Sequence, residues 1–443
     1  MSFRVDRQTI NDLGIFGRLR ERSVYGLFNR TATSGGSLLL ESMFKNPLSD
    51  EIEINRRSNI IRFFQEINIS FPFRGDLFDT VEFYLSNTDN RTRLSAHEYT
   101  LERRFKSVMG SDSEYEILHK GVLAMTEILC STKNFIKRLE TFEISPFYQS
   151  EVDSIKDVLS HERLQSSLNE STFRKYAYPK VASYDQEYRY TLRSELKQLL
   201  LHIYYLDVYI SVASVSSNRG FVAAKALPVD DNRLEMNGIY HPLLQKAVPN
   251  SINIDGKNNV VFLTGANMAG KSTFMKSFGI AIYLAHMGFP VPASEFSFSV
   301  QDGMFTTINL ADNINIGYSH FYSEVMRVKK VAESLGDKKF IIIFDELFRG
   351  TNVKDAYDAT IAVTEAFATK RNCIFIISTH IIEAGSTLKS LCDNIYFVNL
   401  PTVMENGIPK YTYRITEGIT SDRHGMIIIN NEGILDILKN RKK

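Results

Sequence analysis

The most constraining feature of the chain is the octapeptide Gly265-Ala266-Asn267-Met268-Ala269-Gly270-Lys271-Ser272. It lies between an apolar run at 259–264 and a helical stretch opening at Thr273. It fits the G-x-x-x-x-G-K-[S/T] phosphate-loop pattern without mismatch, and the flanks supply the strand and the helix that the pattern needs. The glycines let the backbone curl so that its N–H groups converge on a phosphate, and the following helix adds the positive end of its dipole. Lys271 is placed to reach the β- and γ-phosphates of a nucleotide, and Ser272 to ligate Mg²⁺.

Such a loop calls for further parallel strands beside it, and the sequence offers them. Runs at 260–264, 340–344 and 373–378 are continuously apolar, as strands covered on both faces should be. The second run ends in Asp345-Glu346. Asp345 can hold Mg²⁺ through water, and Glu346 is placed to polarise an attacking water. The third runs into Thr379-His380, which puts His380 beside the expected γ-phosphate as a sensor.

From about residue 233, strands alternate with helical stretches, so 233–443 reads as an α/β domain. Upstream, Pro and Gly are sparse between Pro47 and Gly220, and the pattern is helical. Leu192, Leu196, Leu199, Ile203, Leu206 and Ile210 form one stripe on a helix of about seven turns, ending near Gly220. Residues 1–232 therefore read as a helical domain. Length alone makes one domain unlikely for 443 residues and allows two or three; the change of pattern near residue 233 points to two.

With 52 basic and 51 acidic residues the chain has no global commitment to nucleic acid, so any DNA-binding surface must be a local patch. Arg91, Arg93, Arg103, Arg104 and Lys106 offer such charge, and a solvated helix face is the plainer reading of them. Cys130, Cys373 and Cys392 are too few and too widely spaced for a disulfide framework or a zinc site. The amino terminus lacks the apolar stretch of a signal peptide. No uninterrupted apolar run approaches the ~20 residues of a membrane span. The expected location is the cytoplasm, away from membranes.

The segments 264–275, 344–351 and 378–380 closely resemble the phosphate loop, magnesium strand and histidine switch of the MutS family of ABC-type ATPases. Residues 317–324 resemble that family's signature segment, with Ser319, Phe321 and Glu324 matching and Tyr318, His320, Tyr322 and Ser323 departing from it. The resemblance implies ATP with Mg²⁺ at a homodimer interface, where Ser319 of one subunit reaches the γ-phosphate held by the other. Residues 248–250 resemble the strand leading to the nucleotide, but Ala247 stands where an aromatic usually stacks on adenine. Tyr413, in a segment at 411–418 that also resembles the family, is the candidate ring for that contact. Stretches at 23–30, 33–38, 205–208 and 240–242 resemble the family's core domain and its exit towards the ATPase, so the resemblance implies that residues 1–232 are a helical core and lever domain.

Core-like sequence starts by about residue 6, which leaves no room ahead of it for the family's mismatch-reading and connector domains. Residues 184–187 run almost directly into the 192–210 helix, so little of the clamp domain is expected. The first expectation is a DNA-associated ATPase of mismatch repair or recombination, working on duplex or branched DNA. The alternatives are an ATP-driven remodeller of a ribosome or another protein assembly, and an interaction module that uses ATP only as a switch.

Overall fold

The computed structural model describes residues 3–17, 23–94, 113–170, 176–308, 320–405, 408–420, 434 and 437–438. Compactness divides the chain into two units interleaved in sequence. Residues 1–27, 46–58 and 219–443 form one, and residues 28–45 and 59–218 the other.

In chain order the described strands begin with β1 (Arg4–Val5), β2 (Lys225–Leu227), β3 (Leu234–Ile239), β4 (Asn250–Ile254), β5 (Val260–Gly265), β6 (Glu295–Ser299) and β7 (Gly303–Thr307). They continue with β8 (Phe340–Phe344), β9 (Ile374–Ser378), β10 (Ile395–Leu400), β11 (Thr402–Glu405), β12 (Ile408–Tyr411) and β13 (Thr416–Glu417). Seven of them form one sheet in the order β1-β7-β8-β9-β5-β10-β13, parallel at every junction except β10–β13. A smaller sheet has the order β2-β6-β3-β4, and β11 and β12 make a hairpin.

Every residue of β5, β7, β8 and β9 is buried, which is why their sequences carry no polar alternation. Helix Val353–Ala368, capped by Asn352, lays Phe367 between Phe344 and Phe375 at ring distances of 5.7 and 4.8 Å. Each such buried ring contributes roughly 1.5–3 kcal/mol of apolar transfer. Because β5, β8 and β9 are parallel neighbours, their carboxyl ends share one edge of the sheet, where open α/β sheets bind ligands.

The first 27 residues, which by sequence would join the helical domain, belong to the sheet unit. β1 pairs with β7, and Asp12 accepts hydrogen bonds from Thr306 Oγ1 at 2.7 Å and Ile308 N at 2.9 Å. Asp6 caps helix Arg7–Asp12 and is ion-paired with the buried Arg327. Burial works against ionisation of Asp6, but Arg327 and the Thr9 hydrogen bonds prevail and hold it at about 2. These contacts join residues some 300 positions apart, so a reading by local periodicity misses them.

In the helical unit, helix Arg193–Arg219 follows the predicted stripe and includes five of its six apolar positions, Leu192 lying just ahead of it. It is long and apolar enough to cross a membrane by composition, and 78% of its most apolar window is buried within the protein. Helices Asp76–Ser86 and Ser113–Leu139 pack closely because Gly121 faces the ring of Tyr84. A Cβ at Gly121 would lie 2.3 Å from that ring.

Candidate nucleotide site

Gly265 ends β5, and the loop turns through Met268 (φ +68°) and Gly270 (φ +101°) into helix Lys271–His286. Gly270 is required twice over, by its left-handed backbone and because a Cβ there would come within 3.1 Å of the Tyr413 ring. Asn267 and Met268 are exposed at the loop tip, and Ser272 and Thr273 are exposed in the first helical turn. Lys271 is buried, and its ammonium donates to the carbonyls of Gly265 at 2.9 Å and Ala266 at 3.3 Å. Burial lowers its affinity for the proton, while Asp345 and Glu346 pull the other way.

Asp345 sits between two hydroxyls. Ser272 Oγ donates to one carboxylate oxygen and Ser378 Oγ to the other, the latter at 2.6 Å. Burial raises the Asp345 carboxyl above its ordinary value, and the two serine hydrogen bonds work against that rise. Glu346 follows in the left-handed region, at φ +57°, with its N–H donating to Ser378 Oγ at 3.1 Å. Its carboxylate lies 2.6 Å from His380 Nε2 and accepts from Arg349 at 3.1 Å. The His380 hydrogen bond is the largest influence on Glu346 and, against the cost of burial, holds its pKa at about 2. An ionised carboxylate only accepts, so Nε2 of His380 carries the proton in this pair.

Four of the six described non-glycine residues with positive φ surround this edge: Met268, Glu346, Phe348 and Tyr413. Strain of about 1–3 kcal/mol per residue persists where surrounding structure over-determines it, and it gathers at functional sites. A cavity of about 170 Å³ opens beside the loop, lined among others by Ala247, Val248, Asn250, Gly270, Thr273 and Tyr413. Asn250 fixes the Tyr413 segment, donating to the Tyr413 carbonyl at 2.9 Å and accepting from Ile415 N at 2.7 Å.

The structure thus brings Gly265, Gly270, Lys271, Ser272, Thr273, Asp345, Glu346, His380 and Tyr413 to one sheet edge. Ser319 lies outside the described residues, as do Arg103, Arg104 and Lys106. Arg91 lies within a single 3₁₀ turn, Asn90–Thr92, and Arg93 follows directly after it, so the two do not share a helix face. Arg91 is paired with Asp89, and Arg93 with Gln186. Sequence reasoning did not single out Ser378, Arg349 and Asn250. Ser378 left a signal of its own, as a hydroxyl closing an otherwise apolar strand, whereas Arg349 and Asn250 stood only inside segments that resemble the family.

Two family models match the chain, MutS domain III over residues 8–213 and MutS domain V over 261–441. The chain belongs to the MutS family. It is similar to the DNA mismatch repair protein MutS of Fusobacterium nucleatum, 32% identical over 223 residues, or 48% of this chain and 25% of the relative. The protein of that name from Pseudothermotoga lettingae is 26% identical over 375 residues, covering 81% of this chain and 44% of its own length. The one from Leuconostoc mesenteroides is 24% identical over 545 positions, covering 99% of this chain and 62% of its own length. The chain therefore spans less than two thirds of each of these relatives. The last alignment is longer than all 443 residues of this chain, so that MutS relative carries a stretch with no counterpart here.

Proposed function

We propose that the chain is an ABC-type ATPase of the MutS family that binds ATP on the loop around Lys271 and hydrolyses it. The observation that carries this reading is the anchoring of the two strand-end carboxylates beside the loop: Asp345 between Ser272 and Ser378, and Glu346 between His380 and Arg349. Backbone N–H groups of 265–270 receive the β-phosphate, Lys271 turns from its carbonyl partners to the β- and γ-oxygens, and Tyr413 stacks on the base over the adjoining cavity. Glu346, ionised and held in place, orients water for attack on the γ-phosphorus, and His380 positions Glu346 and senses the γ-phosphate.

The donor set fits Mg²⁺. Ser272 and Asp345 are hard oxygen ligands in direct contact, and no trio of His, Cys, Asp or Glu converges among the described residues. Mg²⁺ takes few protein oxygens and completes its shell with phosphate and water. When bound, it would neutralise charge building on the phosphate oxygens.

Family membership supports a homodimer in which Ser319 of one subunit completes the other's site, and supports DNA as the partner in mismatch repair or recombination. A ribosome or other assembly is the second reading, favoured by the internal stretch of the Leuconostoc mesenteroides relative that has no counterpart within this chain. Lys271→Ala should reduce ATP turnover by about 10²–10³-fold, the loss expected for one preorganised charge donor. Turnover within threefold of the parent protein would overturn the site. Glu346→Gln protein, held with ATP and recovered from cells, should carry DNA; ribosomal RNA and ribosomal proteins in its place would select the second reading.

A further inference from the structure

The helical unit contains a second cavity, of about 440 Å³, lined among others by Asn90, Arg189, Tyr190, Arg193, Ser194 and Lys197. One wall is a π-helical turn, Gln186–Thr191, followed by Leu192, whose N–H reaches the Glu187 carbonyl at 2.8 Å. Such turns are rare, and they redirect side chains within a helix. Here the turn is locked from behind. Arg189 and Asp185 form a fully buried ion pair, with Tyr84 donating to Asp185 at 2.9 Å and Arg189 donating to Thr92 Oγ1 at 2.9 Å. The Tyr190 ring has the Arg93 and Arg189 guanidinium carbons each 5.1 Å from its centre.

The acids near this wall are already engaged: Asp185 with Arg189, Asp89 with Arg91, Glu187 with Arg163, and Glu195 with the Ser194 hydroxyl. Two cations are not. Among the described residues Arg193 donates only its Nε, to the Leu85 carbonyl at 2.9 Å, which leaves both terminal amino groups unspent there. Lys197, one helical turn further on, has no ion-pair or hydrogen-bond partner among the described residues. The Tyr190 hydroxyl is buried without a hydrogen-bond partner among the described residues. No carboxylate lines the cavity among the described residues.

We propose that this cavity is a phosphate-binding site, in which Arg193 and Lys197 take the oxygens of a phosphate group. An arginine fork and a lysine point charge on one helix face match a tetrahedral dianion or a phosphodiester, and the helix start beneath them adds favourable potential. The phosphate can belong to a free phosphate ester or to a nucleic-acid backbone.

The test uses the full chain with Lys271→Ala, which weakens phosphate binding at the nucleotide loop and serves as the parent for both probes. Inorganic pyrophosphate is titrated by calorimetry, and a short single-stranded oligonucleotide by fluorescence anisotropy over a range of salt. Adding Arg193→Gln and Lys197→Gln should weaken the affected probe by about 10- to 100-fold, from loss of two charge-assisted contacts. If the oligonucleotide is the ligand, the slope of log K against log salt should also fall by about 1.4, at roughly 0.7 per lost phosphate contact on a single strand. Weakening of pyrophosphate alone assigns a free phosphate ester, and weakening of the oligonucleotide assigns a backbone. Unchanged binding of both probes, with an unchanged melting temperature, overturns the proposal. Lys197→Arg guards against a folding artefact, because it keeps the charge and should keep binding within about threefold.

Discussion

The nucleotide loop and the Arg193 cavity both present cations to a space, yet they are built in opposite ways. At the loop, one octapeptide supplies the backbone donors and the lysine, and each charge has an internal counterpart: Lys271 its carbonyls, Asp345 its serines, Glu346 its histidine and arginine. At the cavity, the wall comes from two segments about a hundred residues apart, its acids are engaged elsewhere, and Arg193 and Lys197 are left over. A site whose charges balance internally can rearrange when substrate arrives. One with surplus charge is a place to dock.

The sharpest way to break this comparison is Glu346→Gln. If Glu346 orients the attacking water, single-turnover hydrolysis should fall by about 10²–10⁴-fold while ATP binding is retained. A loss of both together would mean that Glu346 only holds the loop edge in shape.

The same contrast explains what the sequence made legible. The loop, the strand-end carboxylates and the Thr379-His380 pair are contiguous motifs, so residue order alone places them. Helix Arg193–Arg219 was legible for a related reason, since a stripe at steps of three and four needs no partner to be seen. Ser378's grip on Asp345, Asn250's hold on the Tyr413 segment and the Asp6–Arg327 pair are set by which strands neighbour one another. No local period encodes that. The π-turn was hidden because a single extra residue in a helix leaves the hydrophobic pattern on either side almost intact.

Two substitutions test the long-range contacts in each unit. Asp6→Asn leaves Arg327 buried without its carboxylate, and it should cost about 3 kcal/mol in denaturant unfolding. A cost below about 0.5 kcal/mol would mean the first residues are dispensable to the sheet unit. Gly121→Ala in the helical unit pushes a methyl group into the Tyr84 ring, and it should cost about 1–3 kcal/mol by overpacking. Tyr84 also donates to Asp185, so the same change should loosen the wall behind Arg193 and weaken phosphate binding there while sparing ATP turnover. Equal losses at both sites would erase the distinction between them.

The smallest effect concerns two adjacent carboxylates with opposite shifts. Glu346 is held at about 2, below its ordinary 4.5, so its pairing stabilises the fold above pH 4.5 and that contribution is lost as the pH falls from 4.5 towards 2. Asp345 is raised by burial, so its ionised form costs stability, and acidification relieves that cost as the pH falls through its raised value. The two therefore oppose each other across the acid limb, and solvent screening at the half-buried Glu346 keeps its share to about 1 kcal/mol or less. Glu346→Gln should flatten the loss of unfolding free energy between pH 5 and 2.5 relative to the parent chain, while Asp345→Asn should steepen it. Parallel curves for all three proteins would show that the His380 and Arg349 contacts do not set the charge of Glu346.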